Sequence, residues 1–490
     1  MKKPLNPIKR LAGETAIYGL GTMLPRFLNY LLVPFYTYMV FDQAEYGQIT
    51  VLYSWVALIL VVLTYGMETS FFRFVSKSDR PSDVFNTATS SLFITSALFV
   101  IVVLFFLDPI ARGINYPANK EYIIYIGIII AIDAFTSLPF AQLRYQNKAK
   151  RFSTIRVLSV VITIAFNLIF LWIIPAIAGD KLTELPIYNS TNLVTFVFIA
   201  NTLGSFSTLL MLLPELRGFK LSINKPLLKK MLIYGLPILI ISLTGMINEV
   251  ADKILLKHLL TDQITADAQL GIYSASYKLA IIMMLFIQMF RYAAEPFFFA
   301  EADKKDSKQI YSQVLTYFVI FCWFIFLGVM LFIDVFKYFI GPAFWAGLAI
   351  VPIILIAKLF LGVFYNLSVW YKLTNKTLYG AIIAIIGSII TIVLNIIWIP
   401  KYGYMGAAWA NFTCYLFIML VSFVWGYRIF RIKYQYFKLI FYSVLAVGIY
   451  FVSQTITISS IIIHLFYNTL FILLFLISVY FLEVKKKTIQ

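Results

Sequence analysis

Apolar stretches of about twenty residues, separated by short polar and basic connectors, recur along the whole chain. A helix of that length crosses roughly 30 Å of hydrocarbon. The strict apolar–polar alternation of a membrane barrel is missing, so these stretches must satisfy their backbone hydrogen bonds internally, as helices. The pattern predicts about fourteen transmembrane helices. Their approximate spans are 14–40, 47–74, 85–107, 119–142, 153–175, 191–213 and 230–258. They continue at 269–295, 310–333, 345–369, 378–399, 404–427, 437–455 and 460–482. The fold class is all-α integral membrane. The first stretch follows Lys2, Lys3, Lys9 and Arg10 but is too long for a secretory signal and carries Arg26, so it reads as a permanent helix.

The chain also repeats itself. Tyr18-Gly19-Leu20 returns as Tyr234-Gly235-Leu236, and Ala44-Glu45-Tyr46-Gly47 as Ala268-Gln269-Leu270-Gly271. Glu68 before Phe71-Phe72 is matched by Glu295 before Phe297-Phe298-Phe299. Asn147-Lys148 pairs with Asn375-Lys376, Ile162-Thr163-Ile164 with Ile390-Thr391-Ile392, and Asn167 with Asn395. The fifth and eleventh helices each close at a proline, Pro175 and Pro400. Six helices per copy is an even number, so both copies share one orientation. Two six-helix bundles in parallel repeat are expected, at residues 1–220 and 221–433, with helices thirteen and fourteen appended over 434–490.

Charge adds topology. The 40 Lys and Arg against 22 Asp and Glu give a formal net charge of +18, which in a soluble chain would suggest nucleic acid. With residue 1 inside, about 28 of the bases fall in cytoplasmic segments and about 5 outside. The inside groups include Arg144, Lys148, Lys150, Arg151 and Arg156, then Arg217 to Lys230, Arg428 to Lys438, and Lys485 to Lys487. Arg112, Lys120, Lys181, Lys337 and Lys401 fall outside. Both termini are therefore expected in the cytoplasm, and no nucleic-acid partner is called for.

At 61% hydrophobic and 13% charged, with mean hydropathy +0.88, the chain has too little polar surface for a soluble core. No connector is long enough for a soluble catalytic domain; the longest outside one runs over roughly 176–190. Cys322 and Cys414 lie in apolar stretches and His258 and His464 are isolated, so no zinc, disulfide or histidine-based centre can be assembled. A Walker A sequence is absent, which argues against ATP-driven transport and leaves no expected cofactor.

Ionisable groups inside a bilayer are costly and face a polar cavity or a partner. Here they are Arg26, Glu68, Arg73, Asp133, Glu249, Asp252, Lys253, Lys278, Arg291, Glu295 and Lys358. Glu249 with Lys253, and Arg291 with Glu295, stand four residues apart and can meet on one helix face. Each pair is either a neutral strut between helices or part of the machinery; the sequence leaves both open. Arg73 and Arg291 near helix ends can snorkel to the headgroups. Arg26, Lys278 and Lys358 lie deeper without a same-face acid and are expected to face a cavity. A surplus of positive charge suits an anionic substrate such as a diphosphate headgroup. Pro25 and Pro237, at matching places in the repeat, are either static kinks or bending points.

These features resemble the polysaccharide flippases of the multidrug/oligosaccharidyl-lipid/polysaccharide exporter (MOP) superfamily. The likeness covers the whole length and includes Gly271-Ile272-Tyr273 and Tyr402-Gly403-Tyr404-Met405-Gly406-Ala407-Ala408. It implies movement of undecaprenyl-diphosphate-linked oligosaccharide from the inner to the outer leaflet of the bacterial plasma membrane, by alternating access. Coupling to H+, Na+ or the membrane potential is expected with it. By helix placement, Arg26, Lys253, Lys278, Arg291 and Lys358 become candidates for substrate binding. Glu68, Glu249, Asp252 and Glu295 become candidates for coupling or gating. Membrane lipids and other polysaccharide-assembly proteins are the implied partners. A drug/cation antiporter or lipid II flippase of the same superfamily is the alternative, and a membrane-embedded glycan polymerase or glycosyltransferase the alternative of another class.

Overall fold

The computed structural model describes residue 19 and residues 21–185, 188, 192–456 and 460–484. Tyr18 and Leu20 of the repeat motif, the basic N-terminus, Pro186 and Lys485 to Lys487 lie outside the described residues. Among the described residues every regular element is helical. The helices are α1 (21–40, interrupted at Leu31), α2 (Gln43–Val75), α3 (Pro81–Phe105), α4 (Lys120–Tyr145), α5 (Ala149–Leu182), α6 (Leu193–Leu216) and α7 (Lys225–Leu259). They continue as α8 (Gln263–Leu279 and Ile281–Ala300), α9 (Ser307–Leu331), α10 (Pro342–Leu373), α11 (377–402), α12 (404–430), α13 (Tyr436–Thr455) and α14 (Ile462–Glu483).

Twelve of the described helical segments are long and apolar enough to cross a membrane. The difference from about fourteen arises at two places. The first expected helix begins in residues outside the described ones, and α11 and α12 adjoin at a kink at Gly403 without an intervening connector, so that Thr377–Phe430 counts as one segment.

Local chemistry sets the ends. Asp42 caps α2 by accepting from the Glu45 amide at 2.8 Å, while the Glu45 carboxylate accepts from the Asp42 amide at 3.1 Å, a reciprocal capping box. Asn192 and Asn224 cap α6 and α7 through the amides of Val194 and Leu227. The helices expected to close at Pro175 and Pro400 instead run on to glycines. Gly179 (φ 50°) and Gly403 (φ 56°) adopt a backbone region that a side chain disfavours, and there the α-helix is interrupted, α5 passing into a 3-10 stretch and α11 kinking into α12. Proline weakens the ladder without ending the helix; the positive-φ glycine breaks the α-helical run.

By internal packing the chain forms two units, residues 1–268 and 269–490. In the first, α4 lies at the centre against α2, α3 and α6, and α5 packs on α6. The α7 helix, which opens the second copy of the sequence repeat, packs within this unit along α2. In the second unit α10 packs against α8, α9 and the α11–α12 helix, and α13 and α14 lie on α9. The Trp323 indole N–H donates to Ser443 Oγ at 2.9 Å, and the Asn468 amide donates to the Leu331 carbonyl at 2.5 Å.

The repeat is visible in geometry as well as in sequence. Asn147 and Asn375 both take φ 55° after α4 and α10. The following lysine amides, Lys148 and Lys376, reach back to Leu143 and Tyr371 carbonyls at 2.9 and 2.8 Å. Asn167 and Asn395, both fully buried, donate to Thr163 and Thr391 carbonyls at 2.8 and 2.7 Å.

Candidate functional site

Most of the membrane-embedded acids are held by bases. Glu68 at the end of α2 pairs with Arg144 at the end of α4. In the second unit Glu295 near the end of α8 pairs with Lys372 at the end of α10, at 2.8 Å. The two pairs occupy corresponding places in the repeat, so the same strut is built twice. The same-helix pairing open to Arg291 and Glu295 is not the one formed, because Lys372 reaches the carboxylate from the neighbouring helix and Arg291 lies over the Tyr365 ring, 5.0 Å from its centroid. On α7 the Lys253 ammonium donates to Asp252 Oδ1 at 3.1 Å and to the Glu249 carbonyl at 2.9 Å, with Asp252 only 1% exposed.

The half-exposed Glu68–Arg144 pair adds under about 1 kcal/mol of stability, so its removal should not unfold the protein. The charge swap Glu68→Arg with Arg144→Glu is expected to restore most of the transport that either single change impairs. A swap that stays as poor as the single variants would mean that Glu68 carries an ion rather than bracing α2.

The cations are placed differently. Arg73 lies over the Tyr234 ring at 4.0 Å, Arg156 over Phe140 at 3.8 Å, and Arg291 over Tyr365. Among the described residues none of these three guanidinium groups has a carboxylate within ion-pairing distance. An aromatic face neutralises little of a guanidinium's hydrogen-bonding capacity and leaves its in-plane donors open to an anion. Lys358, 1% exposed, sits between the Tyr277 and Tyr415 rings at 5.0 Å from each, so it is packed within the second unit rather than displayed on a wall. Arg26 is exposed on α1, and Lys278 is half-buried at the end of the first part of α8. In the second unit a cleft of about 350 Å³ is lined by Arg291, Glu295, Phe298, Tyr365, Ser368 and Lys372.

Residues 11–301, more than half of the chain, match the family described as polysaccharide biosynthesis protein. The chain belongs to that family. No curated protein matches the sequence significantly. Among solved structures, this polysaccharide biosynthesis protein is similar to "Lipid II flippase MurJ, inward closed conformation", at 16% identity and TM-score 0.74, covering 97% of this chain and 100% of that one. It is also similar to an inward-facing "multidrug resistance MATE family transporter of the MOP superfamily", at 15% identity and TM-score 0.61, covering 86% of this chain and 97% of that one. At these identities the likeness is one of fold. The protein is thus a multi-span, membrane-embedded member of a flippase and transporter fold.

Two groups of this polysaccharide biosynthesis protein escape a reading of the sequence. The first is a buried polar cluster where α7 ends and α8 begins. Lys257 and Asp267, 1% and 6% exposed by side chain, form an ion pair at 2.8 Å. Tyr116 donates to the other Asp267 oxygen at 2.8 Å while its ring lies 4.5 Å from the ammonium. Burial and the neighbouring carboxylate both push the Tyr116 hydroxyl to a higher pKa, so it stays a donor. The available signal was Lys257 itself, one turn beyond Lys253 and inside the expected span. The second is Arg156, counted above with a cytoplasmic connector. It lies two turns inside α5, because that helix starts at Ala149.

Proposed function

We propose that this protein moves an undecaprenyl-diphosphate-linked oligosaccharide from the inner to the outer leaflet of the bacterial plasma membrane by alternating access. The observation that carries the reading is the division of partners: Glu68, Asp252 and Glu295 sit in ion pairs, while Arg73, Arg156 and Arg291 rest on aromatic rings and, among the described residues, have no carboxylate within ion-pairing distance. Guanidinium groups placed in that way attract a phosphate-bearing headgroup, which they hold by charge-assisted, bidentate hydrogen bonds. Arg26, Lys253, Lys278 and Arg291 remain the proposed cargo contacts; Lys358, enclosed between Tyr277 and Tyr415, would join them only after the helices around it part. Glu68, Glu249, Asp252 and Glu295 remain the proposed gating or coupling groups. The parallel six-helix repeat, cytoplasmic termini and drive by H+, Na+ or membrane potential belong to the same proposal.

The test is flipping of a fluorescent undecaprenyl-diphosphate oligosaccharide in proteoliposomes. Wild type is expected to move the probe, and Arg26→Ala and Lys278→Ala to slow it at least tenfold while melting like wild type. Loss of one charge-assisted hydrogen bond, about 1.5–3 kcal/mol, corresponds to that factor. Transport of organic cations in place of the lipid would overturn the substrate class.

Lipid II is the second reading, favoured by the full-length fold likeness to a flippase named for it. Competition between lipid II and the oligosaccharide probe separates the two. Chemical turnover of a labelled lipid-linked sugar by the purified chain would point instead to a glycan polymerase.

A further inference from the structure

The appended pair α13 and α14 meets the rest of its unit chiefly along α9. Elsewhere it presents exposed apolar side chains, among them Phe437, Ile440, Val444 and Phe481, a surface that suits lipid. One end of the pair differs. Where α9 and α13 begin and α14 finishes, a pocket of about 250 Å³ is lined entirely by polar residues. They are Gln313, Thr316 and Tyr317 of α9, Gln435 and Lys438 at the start of α13, and Glu483 of α14. The three from α9 are spaced by three and four residues and share one helix face. The rest of α9, from Phe318 to Leu331, carries no charged, amide or hydroxyl side chain, so the polar groups are confined to the helix ends. Exposed tyrosines at the start of α13 and near the end of α14, Tyr436 and Tyr480, mark this depth as the level of the lipid headgroups.

The lining groups balance in charge but not in hydrogen bonding. Glu483 is buried and accepts from the Lys438 ammonium at 2.7 Å and from the Tyr442 hydroxyl at 3.1 Å. An ionised carboxylate can accept about four hydrogen bonds, so part of its capacity remains. Gln435 Oε1 is buried and accepts no hydrogen bond among the described residues, which is destabilising unless a donor reaches it. Lys438 is partly exposed and has further N–H donors to give. The pocket therefore fits a group that turns N–H donors and positive charge to Glu483 and Gln435, turns an oxyanion to Lys438, and adds no net charge. A primary ammonium joined to a phosphate by a short link has that pattern. A quaternary ammonium has no N–H to offer, and an anionic headgroup sets a second negative charge beside Glu483 with no cation of its own to offset it.

We propose that this pocket binds the ethanolamine phosphate headgroup of a membrane phospholipid, with the ammonium on Glu483 and Gln435 and the phosphate on Lys438. The lipid is held rather than transported, and it ties the appended pair to α9. In the topology proposed above it comes from the inner leaflet. The site is separate from the cargo reading, since no residue lining it is a proposed cargo contact.

The full chain, freed of bound lipid in detergent, is titrated with phosphatidylethanolamine, phosphatidylcholine and phosphatidylglycerol of identical acyl chains, and bound lipid is counted by native mass spectrometry. Phosphatidylethanolamine is expected to bind about tenfold more tightly than phosphatidylcholine, the weight of one charge-assisted hydrogen bond. Glu483→Gln should erase that preference while binding phosphatidylcholine as wild type does. Equal binding of the three lipids by wild type would overturn the proposal. Tightest binding of phosphatidylglycerol would overturn it too, and so would a preference that survives Glu483→Gln. If Glu483→Gln does not fold, Gln435→Leu decides. It removes only the unmet acceptor, so the protein should melt no lower than wild type while the preference for phosphatidylethanolamine narrows; an unchanged preference would refute the assignment.

Discussion

Lys257→Ala is expected to lower the melting temperature of the purified protein sharply, through a loss of about 3–5 kcal/mol. The carboxylate left behind is the reason. Asp267 is 6% exposed by side chain and would keep Tyr116 and a distant Gln48 amide as donors but lose its counter-ion. Asp267→Ala should be comparably harmful, since it strands a lysine that is 1% exposed. The double replacement Lys257→Met with Asp267→Leu removes both charges and fills similar volume, so most of the stability should return. Thermal melts of the four proteins in one detergent supply the cycle. Single variants that melt within a degree or two of wild type would mean that water reaches the pair and that the cluster is not a lock.

The second large effect is expected where two backbones touch. The α2 helix breaks at Tyr65 and Gly66, both with positive φ, and Gly66 sits against Gly235 of α7. A methyl group built on Gly66 would lie 2.5 Å from the Gly235 carbonyl oxygen. One on Gly235 would lie 2.9 Å from both Ser70 Oγ and the Tyr65 carbonyl oxygen. Gly66→Ala therefore combines left-handed strain with overpacking, together about 2–5 kcal/mol. It also threatens the bond from Ser70 Oγ to the Met231 carbonyl at 3.0 Å. Gly245→Ala on the same α7 helix is the control, because nothing lies within 4 Å of the added methyl group. It should be neutral or stabilising by up to about 1 kcal/mol. Equal melting temperatures for the two variants would show that α2 and α7 do not approach so closely.

Both effects concern features invisible to a pattern search. The repeat Tyr-Gly-Leu marks Gly235 as part of a recurring phrase, yet nothing in the phrase says that its neighbour is the break in α2. Glu68 and Glu295 were legible as matched acids, and the structure gives each its base, Arg144 and Lys372. Those bases sit 76 and 77 residues further along the chain, beyond the reach of the four-residue spacing that suggested Arg291 for Glu295. Helix-face arithmetic finds partners on one helix only; a side chain takes whichever partner packing brings nearest.

The sequence by itself determined the class and the membrane embedding of this protein, because unbroken apolar length and the backbone's need for internal hydrogen bonds admit one solution in lipid. It also determined the repeat, down to the asparagines that end α4 and α10, because those positions obey local backbone rules. Tertiary structure alone decided which charges are partnered. It withdrew Lys358 between two tyrosines, left Arg156 on a phenylalanine, gave Asp133 a hydrogen bond from Ser205, and hid Lys257 against Asp267. The physical reason is that an ion's environment depends on neighbours from other helices, and these are set by packing rather than by spacing along the chain.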